Sequence, residues 1–271
     1  MKLKFLRERW IQTLVAGVIL FVVTEQVFKT TGNINLLPSV IFLGAFIVPV
    51  TFVIYFYQYV RDRDISMPLL TACFFVGGLV GIVAAGFVEF GTLHNSGISS
   101  LAYVALIEES MTLVFPIAMF ASWKYRHEAD GLLFGVAAGM GFAALETMGY
   151  ALVSFIGSRG NLGTLQQVLL IRGLLSPAGH AAWTGFVCAI LWRQRGKTGH
   201  RLGLPVLGAF LLAVALHTAW DIVNTFNTHT GLQWAAYFVA LLLLIAIGLG
   251  LIIWRLRRTR NLGEEGSHTS D

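Results

Sequence analysis

Charge is what this chain lacks most. Asp, Glu, Lys and Arg make up 12% of its 271 residues, about half the roughly 25% of an ordinary soluble domain. Hydrophobic residues make up 56%, and the mean hydropathy is +0.73. That shortage of charge excludes a soluble globular enzyme and points to a polytopic membrane protein. Cysteine is almost missing too. Cys73 and Cys188 both sit inside apolar runs with no ligand-like spacing, which excludes a disulfide framework and leaves them as small buried hydrophobes. Neither HExxH nor GxSxG occurs, so a helix-borne zinc motif and a serine nucleophile elbow are both absent, and Ser110 and Ser176 have no signature to support them as nucleophiles. No low-complexity segment stands out.

What is present is a series of apolar runs. A spanning helix needs about 20 mostly apolar residues, and eight segments qualify: Ile11–Phe28, Leu36–Val60, Pro68–Phe90, Leu101–Trp123, Gly131–Ile156, Gln167–Trp192, Leu202–Phe226 and Gln233–Trp254. The expected fold is all-α, a polytopic bundle of about eight transmembrane helices with any site inside it. The membrane unit covers 1–262, with a motif-bearing core at about 101–226, and 263–271 forms a flexible polar tail. The basic front MKLKFLRER has no small-x-small cleavage site after its apolar core, so the first span reads as a retained signal anchor.

Eight spans put both termini on one side. That side would hold Lys2, Lys4, Arg7, Arg9, Arg61, Arg63, Lys124, Arg126, Arg193, Arg195, Lys197, Arg201, Arg255, Arg257, Arg258 and Arg260, against only Lys29, Arg159 and Arg172 on the other. The positive-inside rule then makes both termini cytoplasmic. The net charge of +5 is explained by helix ends facing lipid headgroups, so no nucleic-acid partner is implied.

Against this apolar background Glu108, Glu109, Glu146, His180 and His217 fall within spans, with Asp221 one turn after His217. An acidic or basic side chain at the centre of a membrane helix costs at least about 2.5–3.5 kcal/mol on insertion scales. At about 1.5 Å per residue, all six lie roughly 8–20 Å below the outer surface. Residues of four helices can therefore meet. His217 and Asp221 share a face at i, i+4. Glu108 and Glu109 are about 100° apart and are expected to do different jobs. Gly131, Gly135 and Gly139, continued by Ala143, form a small-residue stripe for close helix approach, and Pro177 and Gly179 loosen the sixth helix just before His180. Arg172, a turn inside the sixth span, either snorkels or pairs with a glutamate. Glu25 pairs with Lys29, Glu89 ends the third span at the interface, and Trp183 and Trp220 read as packing.

Glutamate and histidine without a Ser or Cys nucleophile suggest water activation. A glutamate in apolar surroundings can act as general base near neutral pH. The histidines can hydrogen-bond a developing oxyanion or hold a metal such as zinc with an open position. Metal-assisted and metal-free hydrolysis both fit this residue set, and if a metal is present Glu146, His180 and His217 are the expected ligands. A proton-coupled transporter would also use such residues, although no inverted repeat beyond the HxAW echo at His180 and His217 is visible. Haem ligation by the two histidines would leave the glutamates unexplained.

The ordered motifs IEESMTLVFP (Glu108, Glu109), GMGFAALET (Glu146), GHAAWTGF (His180) and LHTAWDIVN (His217, Asp221) resemble those of the PrsW-type intramembrane proteases, within the superfamily of the CAAX prenyl proteases. The resemblance covers the chain from Glu108 to Asp221. It implies a multi-pass bacterial plasma-membrane endopeptidase whose substrate is a membrane-bound protein of the anti-sigma-factor kind. It also implies that Glu108 or Glu109 activates water, that Glu146, His180 and His217 complete the site, and that Asp221 orients His217. Two positions depart from the pattern: Thr112 stands where a Lys is usual and Thr147 where Asn is frequent. They leave an inactive, protein-binding relative as a further alternative.

Overall fold

The computed structural model describes residues 7–60, 64–92, 98–198, 203–225 and 230–268. Among these, eight helical spans are long and apolar enough to cross a membrane: Arg9–Thr31, Ile34–Tyr59, Met67–Gly91, Ser99–Ala121, Glu128–Gly157, Leu162–Gly196, Leu204–Thr225 and Gly231–Thr259. No strand occurs among the described residues. Within hydrocarbon the backbone must satisfy its own N–H and C=O groups, and a helix does so within one segment. All eight expected spans are found, with ends shifted by a few residues. Lys2, Lys4, Arg61, Arg63 and Arg201 of the charge count lie outside the described residues, as do residues 269–271 of the expected tail. The last helix runs on past Thr259 to His268, so the polar residues from 263 to 268 continue it.

Three spans are irregular, and all three border the site. The third passes through a π-helical turn at Cys73–Gly77. The fourth is two helices, Ile98–Thr112 and Val114–Ala121, parted at Leu113. Pro116 accounts for that break, because it has no N–H to give and its ring crowds the carbonyl four residues back, at Thr112. The sixth consists of Leu162–Leu175, a 3-10 turn at Ser176–Ala178 and a new helix from His180 to Thr198. Pro177 and Gly179 make this break, so His180 opens a helix instead of lying inside one.

The fifth span is the axis of the bundle and is almost wholly enclosed. Its start is fixed by Asp130, whose carboxylate accepts the backbone N–H of His127 at 3.1 Å and of Asp64 at 2.8 Å. The glycine stripe lies against the second half of the sixth span. A Cβ on Gly131, Gly135 or Gly139 would stand 2.7 Å from the Cys188 carbonyl oxygen, 2.6 Å from that of Thr184 and 2.5 Å from that of His180. The opposite side of the same helix meets the third span, where Gly141 and Gly78 pack backbone to backbone at the π turn. Small residues therefore set two helix separations, and one of them fixes the depth of His180. Gly139→Ala forces the His180 backbone to move. It is expected to cost about 1–3 kcal/mol of stability, the scale of overpacking a tight interior, measurable by denaturation of the detergent-solubilised protein.

Candidate active site

Glu108, Glu109, Glu146, His180, His217 and Asp221 converge on one cavity of about 530 Å³ or on the wall directly behind it. The cavity lies among the fourth to seventh spans, with Glu89 from the third and Tyr237 from the eighth. Its lining includes Glu89 and Thr225, near the ends of the third and seventh spans, and Leu101, near the start of the fourth. The cavity therefore reaches toward the face opposite the first helix's start.

Glu109 is 1% exposed and forms the back of the site. Its Oε1 lies 3.0 Å from His180 Nδ1 and 3.1 Å from His217 Nδ1. An ionised carboxylate only accepts hydrogen bonds, so each Nδ1 carries the proton and donates it to the same oxygen. In the neutral ring each Nε2 then keeps a lone pair aimed away from Glu109. Glu108 meets those nitrogens from the front, with Oε2 3.7 Å from His180 Nε2 and 3.5 Å from His217 Nε2. Adjacent glutamates therefore hold opposite edges of the same two rings, which the 100° step between them permits.

Aromatic packing holds the rings as well. Trp183 stacks on His217 with centroids 4.9 Å apart and planes at 26°. Phe142 lies against His180 at 4.6 Å. The two imidazoles stand edge to face at 4.8 Å and 87°, which leaves no slot for a porphyrin between them. Trp183, a packing residue as the sequence suggests, packs on the site itself. Its spacing from His180, three residues along one helix, is the signal that it braces the site.

Glu146 faces the cavity from the side. Its Oε2 accepts a charge-assisted bond from Arg172 Nη2 at 2.8 Å and lies 3.4 Å from His180 Nε2. Asp221 Oδ2 is 3.5 Å from His217 Nε2, on the cavity side of the ring, while the opposite nitrogen belongs to Glu109. Thr112, where a cation would be usual, is fully buried and its hydroxyl donates to the Glu108 carbonyl at 2.5 Å. Thr147 is buried beside Glu146. Glu89, two residues from the end of the third span, also lines the cavity. Glu25 does pair with Lys29, at 3.3 Å, and also binds Gln166 of the sixth span.

Among the described residues, the donors that could hold a metal ion are Glu108, His180 and His217, whose ligand atoms all lie within 4.8 Å of one another. Two neutral imidazoles and one carboxylate suit zinc with an open fourth position. The shared carboxylate behind both rings is the outer-shell partner such ligands require. The donor set therefore fits a metal. Glu146, the ligand expected from sequence if a metal is present, lies outside this cluster, and its Oε2 is paired with Arg172 at 2.8 Å.

A multi-pass helical bundle enclosing a glutamate–histidine cavity with this donor set defines an intramembrane hydrolase. The chain belongs to the PrsW family of intramembrane metalloproteases: the model described as "PrsW family intramembrane metalloprotease" matches residues 66–249. It is 22% identical over 209 residues to Protease PrsW of Shouchella clausii (strain KSM-K16), covering 74% of this chain and 89% of that protein. It is 25% identical over 223 residues to Protease PrsW of Halalkalibacterium halodurans (strain ATCC BAA-125 / DSM 18197 / FERM 7344 / JCM 9153 / C-125), covering 78% and 91% respectively. No solved structure matches. The chain is a multi-pass membrane peptidase.

Proposed function

We propose that the chain cleaves a peptide bond in the outer half of a bacterial plasma membrane, in a single-span protein of the anti-sigma-factor kind. Both termini are then cytoplasmic, and the cavity opens outward. The charge bias supports that orientation, and the reach of the cavity lining toward the face opposite the first helix's start agrees with it. The observation that carries the reading is the grip of Glu109 on both Nδ1 atoms, which leaves two Nε2 lone pairs facing Glu108 at the cavity wall.

In this reading Glu108, His180 and His217 are the metal ligands, Glu109 sets their tautomers, and Asp221 flanks His217. A divalent ion such as zinc at that position supplies Lewis acidity. Glu146 is the general base. It takes a proton from water as the water oxygen adds to the scissile carbonyl carbon, and it returns that proton to the leaving nitrogen as the C–N bond breaks. The burial of Glu109, His180 and His217 strengthens their electrostatic contacts relative to water.

Comparing membrane proteomes of cells carrying the wild-type chain and His217→Ala tests the reading. The expected result is a new terminus in or beside the span of a single-span protein, present only with the wild type. Identical termini in both would overturn it, provided the variant accumulates folded.

A further inference from the structure

We propose that Arg172 is a positioning residue that keeps Glu146 out of the metal's coordination and so reserves it as the base; this rests on the functional reading above. Three glutamates surround two histidines, and each has a different restraint. Glu109 is committed to both Nδ1 atoms, and Glu108 stands before both Nε2 atoms. Glu146 is the ambiguous one. Its Oε2 is 3.4 Å from His180 Nε2, close to the donor that a metal would use, so nothing in its distance alone prevents it from becoming a fourth ligand. A ligand there would close the open position that hydrolysis needs.

Arg172 resolves the ambiguity. Its Nη2 binds that same Oε2 at 2.8 Å, the distance of a strong charge-assisted hydrogen bond. The guanidinium is itself held in place, with Cζ 4.1 Å from the Tyr150 ring centroid. Tyr150 is one turn after Glu146 on the same helix, so one planar cation bridges positions i and i+4 of the fifth span. Glu89, Glu108, Glu146 and Asp221 supply carboxylates to the cavity lining, and among the described residues Arg172 is the only Lys or Arg in it. Its Nε is buried without a hydrogen-bond partner, a cost consistent with a guanidinium placed for its neighbour and not for its own solvation. The break at Ser176–Ala178 separates Arg172 from His180, so the two reach Glu146 from different helices of the same span.

The test measures zinc affinity of the metal-free, full-length protein by chelator competition, alongside cleavage of a peptide spanning the site found in the proteome comparison. Arg172→Ala is expected to bind zinc more tightly, by about tenfold, the lower end of the scale for outer-shell changes, and to lose kcat with KM little changed. Arg172→Ala combined with Glu146→Gln should return zinc affinity to the wild-type value, because the freed ligand is gone. Arg172→Lys keeps one charge and should recover part of kcat. Wild-type zinc affinity in Arg172→Ala, tightening that persists in the double variant, or a rise in KM with kcat unchanged would each overturn the proposal. If wild type and His217→Ala give the same termini, the functional reading fails instead; the zinc measurements still judge Arg172.

Discussion

Glu146→Gln is expected to lower kcat by about 10²–10⁴-fold, the usual worth of a general base, while zinc affinity stays at the wild-type value. Glutamine keeps the shape and the carbonyl oxygen that Arg172 binds, so the pairing at 2.8 Å has a substitute and the cavity wall is preserved. It loses only the capacity to take a proton. Glu108→Gln should behave differently. Its carboxylate faces both Nε2 atoms, so zinc affinity and turnover should fall together. The contrast assigns the roles: a metal set of Glu146, His180 and His217 would make Glu146→Gln lose zinc. Single-turnover rates read beside chelator competition separate the two cases, and loss of zinc in Glu146→Gln with retention in Glu108→Gln would reverse the assignment.

The bundle was largely legible because lipid imposes few solutions. Apolar length fixes the number of spans, and all eight appear as helices. The glycine stripe was legible for a related reason: in lipid, small residues at every fourth position have little use except close approach, and a Cβ on Gly131, Gly135 or Gly139 would collide with the carbonyl of Cys188, Thr184 or His180. The difference between Glu108 and Glu109 could also be read, since adjacent helical residues diverge. Their division of labour could not. Helical spacing gives the face of a residue but not the atom that meets it, and the sharing of one Glu109 oxygen by two histidines depends on the fourth, sixth and seventh spans together. Arg172 was ambiguous for the same reason. A basic residue one turn inside a span snorkels or pairs according to what the neighbouring helix offers, and only the packed fifth span puts Glu146 and Tyr150 beneath it. The break at Leu113 was missed although Pro116 announced it, because apolar composition continues unbroken through it.

Glu109→Ala is expected to reduce zinc affinity by about 10–100-fold, the cost of removing an outer-shell carboxylate, and to reduce turnover at subsaturating zinc by the same factor. One oxygen receives both Nδ1–H groups, so alanine leaves two buried donors unpaired at once, each costing about 1–3 kcal/mol. Both rings are then free to turn or to change tautomer, and either change takes an Nε2 lone pair away from Glu108. Stacking of Trp183 on His217 and contact of Phe142 with His180 limit the turning but do not select a tautomer. Glu109→Gln should therefore be milder, because an amide oxygen can still accept from the two imidazoles. Excess zinc should restore part of the lost turnover in Glu109→Ala but none in Glu146→Gln, since the first variant lacks ligand orientation and the second lacks the base. Wild-type zinc affinity in folded Glu109→Ala would show that the histidines need no support from behind, and the role of the paired glutamates would have to be redrawn.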